Sequence, residues 1–168
     1  MASQVCPCGL KWRRHLALSL LDSYREILVG MHLTHAWRGH GSAIFLEFGT
    51  LVQRVRRHGS PMESEGELGA MVEWSWRIED TSSIICGSCS DDALWDAALQ
   101  RLRGSTVTNI EVFGKLPELA VELSNRHRVV SFMTAEGDPT WALFDRRAPT
   151  RRSLHVRNGC LVEEWSII

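Results

Sequence analysis

Residues 72–79 alternate with a period of two: Val72, Trp74, Trp76 and Ile78 fall on one side, Glu73, Ser75, Arg77 and Glu79 on the other. Successive side chains of an extended chain point to opposite faces, so this run predicts a strand with one wet face and one dry, tryptophan-bearing face. On that reading Trp74 and Trp76 are both buried. Ile44, Leu46 and Phe48 alternate in the same way with Phe45 and Glu47. Short apolar runs predict further strands at Leu33–Trp37, Ile84–Cys86, Val107–Phe113, Leu119–Leu123, Val129–Met133, Trp141–Phe144, Leu154–Val156 and Leu161–Trp165. Asn125-Arg126-His127 and Arg157-Asn158-Gly159 read as hairpin connections, the second because Asn-Gly accepts the positive φ of a tight turn.

Two stretches carry helical spacing instead. From about Trp12 to Val29, Leu16, Leu20, Tyr24 and Ile27/Leu28 recur on one face, and Gly30 follows as a C-cap. In the second, Ser90 or Asp91 caps the N-terminus, Leu94, Ala97, Ala98 and Leu102 form the apolar stripe, and Gly104 ends the helix. The fold class is therefore α+β: a curved, largely antiparallel sheet with two main helices packed on one face. The two helix-to-strand junctions echo each other, Gly30-Met31-His32-Leu33-Thr34 against Gly104-Ser105-Thr106-Val107-Thr108. Two helix–meander half-repeats and a coincidence of common units both fit this echo.

A chain of 168 residues with 44% hydrophobic and 23% charged residues suits one domain able to bury its own core without a metal or disulfide staple. Residues 1–15 read as a loose leader and 16–168 as the domain. The apolar stretch Leu16–Leu21 is stopped by Asp22, too short for a membrane span or the core of an export signal. Five cysteines, an odd set, then fit reduced thiols in a cytoplasmic protein. A net charge of −1 disfavours a nucleic-acid partner. The charge is nonetheless uneven: residues 1–60 hold eight Lys/Arg against three Asp/Glu, and residues 61–124 hold four against twelve. Such blocks more often reflect complementary faces within one domain than a ligand footprint.

Several groups invite chemistry. Cys6, Cys8, Cys86 and Cys89 number enough for a tetrahedral zinc, but small thiols packed at a strand end are the better account of Cys86 and Cys89. Cys6-Pro7-Cys8-Gly9 resembles the start of the zinc-binding SEC-C motif but lacks its later cysteine pair. Asp91 and Asp92 oppose thiolate formation at Cys89. Glu47 and Glu122 alternate with core positions and are expected on the wet face. The histidines show no metal-ligand spacing. The sequence thus assigns no catalytic residue, no metal ligand and no cofactor. Trp37-Arg38-Gly39-His40-Gly41-Ser42 is the most suggestive segment: its glycines free the backbone, and Arg38, His40 and Ser42 offer donors to an anion or carboxylate. Plain hairpin geometry accounts for the glycines as well. The aperiodic stretch Thr50–Leu68 switches from Arg54, Arg56 and Arg57 to Glu63, Glu65 and Glu67 and reads as a charged surface loop.

The segments Arg38–Gly49, Trp74–Glu79 and Asp138-Pro139-Thr140-Trp141 together resemble a family of small uncharacterised bacterial proteins, over about residues 18–168. Such compact β-rich proteins are similar in style to immunity proteins of bacterial toxin systems. No activity comes with that resemblance. The leading expectation is a non-enzymatic intracellular module that holds another protein, with Arg38, His40, Ser42, Arg54, Arg56 and Arg57 as contact residues, because their segments combine forked donors with dense charge. The alternative is a small enzyme or anion-binding domain centred on Arg38–Ser42.

Overall fold

The computed structural model of the chain describes residues 10–56 and 58–167, with side chains from Ser19 to Ser166. Helix α1 (Leu10–Leu28) leads into β1 (Leu33–Arg38), β2 (Ile44–Phe48), β3 (Leu68–Val72), β4 (Trp76–Glu79) and β5 (Ile84–Gly87). Helix α2 (Trp95–Leu102) follows a single 3-10 turn at Asp92–Leu94. It leads into β6 (Val107–Phe113), β7 (Glu118–Leu123), β8 (Arg128–Ser131), β9 (Trp141–Asp145), β10 (Thr150–Arg157) and β11 (Cys160–Ile167). The Cys6–Cys8 pair lies outside the described residues.

The fold is α+β and its sheet pairing is antiparallel throughout, but the strands form two sheets where the sequence pattern suggested one. The six-stranded sheet runs β1-β2-β3-β9-β10-β11, the five-stranded sheet β5-β4-β8-β7-β6. Each half of the chain feeds both sheets: β3 pairs with β9, and β4 pairs with β8. Helix α1 packs on β6 and β11, helix α2 on β1 and β5, so each helix touches edge strands of both sheets. Among the described residues no helix is long and apolar enough to cross a membrane.

The change of sheet corrects the reading of residues 72–79 as one strand. Val72 ends β3 and Trp76 begins β4, and Trp74 between them has φ 65° and is 58% exposed. A left-handed residue bends the chain where it leaves one sheet for the other. Trp76 is wholly buried, and its indole meets Trp95 edge-on with ring centroids 4.7 Å apart. The stripe of α2 is also shifted from the expected one. Asp91 caps the 3-10 turn by accepting from the Ala93 N–H, so the α-helix proper starts at Trp95 and buries Trp95, Ala98, Leu99 and Leu102. Leu94 stays 53% exposed.

The junctions after the two helices exchange hydrogen bonds reciprocally. Gly30 N donates to Val107 O at 2.9 Å, and Gly104 N to Leu33 O at 2.8 Å. Val107 N donates to Met31 O, Leu33 N to Ser105 O, and a bridge joins His32 to Thr106. Both glycines have positive φ, 91° and 78°. Strands β1 and β6 each break register at the threonine of the echoed segment, between Leu33 and His35 and between Val107 and Asn109. The result is an approximate two-fold arrangement about the His32–Thr106 bridge. The inner faces of both sheets close over one apolar core, in which Leu21, Tyr24 and Leu28 of α1 meet residues such as Phe48, Trp76 and Trp141.

Candidate functional site

The Arg38–Ser42 turn joins β1 to β2, and the fold ties its Arg38 and Ser42 to other elements. Arg38 Nη2 donates to Asp92 Oδ2 at 2.8 Å, and its guanidinium carbon lies 4.3 Å above the Trp95 ring. Ser42 Oγ accepts from Trp74 N at 2.8 Å, and the Ser42 carbonyl accepts from Trp76 Nε1 at 2.6 Å. A Cβ at Gly39 would lie 2.6 Å from the Phe45 ring, so this glycine serves close packing. His40 is exposed. The turn fastens the hairpin to the α2 entry and to the bend before β4.

Residues 50–67, between β2 and β3, form an arm rather than a shapeless loop. Isolated bridges pair Val52 with Glu65 and Val55 with Pro61. Glu67 Oε2 accepts from Thr50 N at 2.8 Å at the root, and Gln53 Nε2 donates to Met62 O at 2.6 Å farther out. Arg54 Nε donates to Glu65 Oε2 at 2.7 Å, whereas Arg56 is exposed near the tip. Arg57 lies outside the described residues. The arm also holds apolar side chains in solvent: Val52 is 56%, Val55 61% and Met62 44% exposed. Among the described residues no hydrogen bond or ion pair connects Arg38, His40 or Ser42 with Arg54 or Arg56, so the two predicted groups are separate features.

The arm covers part of the outer face of the six-stranded sheet and buries a residue expected in solvent. Glu47 is fully buried. Its Oε2 accepts from Arg146 Nη1 at 2.8 Å and from Gly66 N at 2.9 Å. Oε1 meets no donor in hydrogen-bond geometry, although the Trp37 indole N–H is near enough to favour the charged carboxylate slightly. Burial outweighs Arg146 and the other donors and pushes the Glu47 pKa up. Glycine at 69 makes the arrangement possible, because a Cβ there would sit 2.6 Å from Arg146 Nη1. A cavity of about 240 Å³ opens beside the pair, walled by the stacked Trp37 and Phe45 rings and by Met62, Glu63 and Glu65. Glu122, by contrast, is half-buried.

A second cavity, of about 180 Å³, lies across Arg146 from the first and is lined by Phe144, Arg146, Arg151, Arg152, Ser153 and Ser166. The four arginines between Asp145 and Ser153 announce a basic segment that a whole-chain charge balance hides. Beside it, hydrogen bonds from Arg147 and then Arg152 hold the buried Asp145 well below the usual carboxylate range. Among the described residues, no group of His, Cys, Asp and Glu is placed to hold a metal ion. Cys86 is buried while Cys89 is exposed. No protein-family model, curated protein or solved structure matches this chain.

Proposed function

We propose that this chain is a protein-binding module whose contact surface is the arm of residues 50–67. The observation that carries the reading is the exposure of Val52, Val55 and Met62 on a segment anchored by its own backbone bridges and by the Thr50–Glu67 hydrogen bond. Apolar side chains presented by a positioned segment gain free energy when a partner covers them, and the arm's charged neighbours give orientation. An immunity or defence-associated role in the cytoplasm fits a small module of this kind. The echoed glycine junctions support its origin from two helix–meander repeats. The commitments of Arg38 and Ser42 to Asp92, Trp74 and Trp76 weigh against the enzyme or anion-site alternative at that turn.

The test compares proteins retained from the native host by the wild type and by a Val55→Glu, Met62→Glu, Arg56→Glu variant with an unchanged melting temperature. A protein held stoichiometrically by the wild type and lost by the variant is expected. The same retained set in both would remove the arm as the contact surface.

A further inference from the structure

The cavity between the arm and the outer face of the six-stranded sheet has apolar walls from three elements: Trp37 of β1, Phe45 of β2 and Met62 of the arm. Strand register sets Trp37 opposite Phe45, and their rings stack with centroids 4.2 Å apart. Both residues are only half-buried, so each keeps surface that a ligand can reach. Met62 borders the cavity and is itself 44% exposed, which links the cavity to the apolar surface that the arm shows to solvent.

The charged groups around this space are already engaged. Glu47 Oε2 is bound by Arg146 Nη1 and Gly66 N, and Glu65 Oε2 accepts from Arg54 Nε at 2.7 Å and from Arg151 Nη2 at 3.3 Å. Glu63 Oε2 lies 2.9 Å from His35 Nε2. On the other side of that ring, His35 Nδ1 meets Arg103 Nη2 at 2.7 Å. A guanidinium can only donate, so Nδ1 accepts and the Nε2–H donates to Glu63. A charged occupant would have to compete with these pairs, whereas an apolar one displaces only water from the rings and Met62. Size narrows the choice further: about 240 Å³ falls below the roughly 300–1,000 Å³ of pockets that hold whole small molecules, and suits one large side chain. The flexible Met62 thioether adapts to such a group and favours contact with an aromatic ring.

We propose that the partner of the arm inserts one large apolar side chain, aromatic by preference, into this cavity as the anchor of the interface. The inference rests on the reading of the arm as the contact surface. An anchor that fills a pocket with a water-excluding rim carries a large share of the energy of an interface.

The experiment titrates the full-length protein with N-acetylphenylalaninamide, N-acetyllysinamide and N-acetylaspartamide, following the Trp37 Nε1–H and Met62 methyl resonances by NMR. Saturable shifts with the phenylalanine probe and none with the two charged probes are expected. Met62→Ser, followed at Trp37, should weaken binding of the phenylalanine probe by about fivefold through lost apolar contact. Glu63→Gln should bind it as the wild type does. The proposal is overturned if the phenylalanine probe never saturates the signal, if the lysine probe binds as well, or if folded Met62→Ser binds like the wild type. Weakening in Glu63→Gln would mark a site for polar ligands and overturn it too. No probe signal, together with a partner lost from the Val55, Met62 and Arg56 variant, removes the anchor and leaves the arm as the contact surface. A saturable signal with an unchanged set of retained proteins overturns the arm reading, and the anchor with it.

Discussion

Trp76 has no exposed surface and donates its indole N–H to the Ser42 carbonyl, whereas Trp74, two residues earlier, stands 58% exposed at φ 65°. Trp76→Ala should therefore cost about 3–5 kcal/mol in a urea titration, from lost packing and cavity formation. Trp74→Gly should gain about 1 kcal/mol, since glycine adopts the left-handed conformation without the Cβ penalty. A loss at position 74 matching that at 76 would show that the Trp74 indole is packed after all. Glu47 makes a pH-dependent prediction. Its folded pKa lies above the ordinary 4.5, so the folded chain binds that proton more tightly than the unfolded chain does. Its contribution to stability is greatest below that value and declines as pH rises toward the folded pKa. The stability difference between wild type and Glu47→Gln should accordingly shift against the wild type from pH 4.5 upward. Asp145 acts with the opposite sign and in another range: its arginine pairs are at full strength above the ordinary carboxylate range and lost as pH falls through and below it. A difference curve flat above pH 4.5 would mean that Glu47 is not desolvated.

The arm and helix α2 illustrate how neighbours decide what a local pattern becomes. Residues 50–67 have no steady period, yet two bridges and the Gln53–Met62 and Arg54–Glu65 hydrogen bonds order them as an arm over the sheet. Its outer part projects beyond the ladder that pairs Phe48 with Leu68. Brief trypsin treatment should thus cut first after Arg56, which is exposed, and the two pieces should stay together through that ladder and the core. Mass spectrometry of the first products checks the site, and gel filtration checks the association. First cleavage within the β-sheets would contradict the arrangement. In α2, the 3-10 turn after Asp91 delays the α-helix and rotates the buried stripe onto Trp95 and Leu99, bringing Trp95 against Trp76.

Across the whole molecule, the halves are joined by exchanged strands and by the reciprocal bonds around Gly30 and Gly104. Neither glycine has any atom within 4 Å of a built Cβ, so alanine at either position meets strain only from its positive φ. Gly30→Ala and Gly104→Ala should then cost similar amounts, about 1 kcal/mol each, in urea unfolding. Strongly unequal costs would show that the two junctions are not mechanically equivalent. Since β3–β9 and β4–β8 cross between the halves, unfolding in these variants should remain a single transition by tryptophan fluorescence and circular dichroism.

The sequence by itself determined where most strands and both helices lie, because alternation, caps and Asn158-Gly159 are local signals that backbone sterics read directly. Asn158 and Gly159 take the positive φ angles the turn requires, 52° and 66°. It also located the arm and the Arg38–Ser42 turn, but not what their side chains do. Only tertiary structure decided that Val72 and Trp76 belong to different sheets, since a period of two is unchanged by a sheet switch within the run. Likewise only tertiary structure buried Glu47: alternation tells which face a side chain takes, not whether an arm from elsewhere covers that face. The partners of Arg151 and Arg152, Glu65 of the arm on one face and Asp145 on the other, depend on strand pairing and coverage, which their local residue pattern does not specify. Long-range pairing and coverage, not local propensity, set these environments.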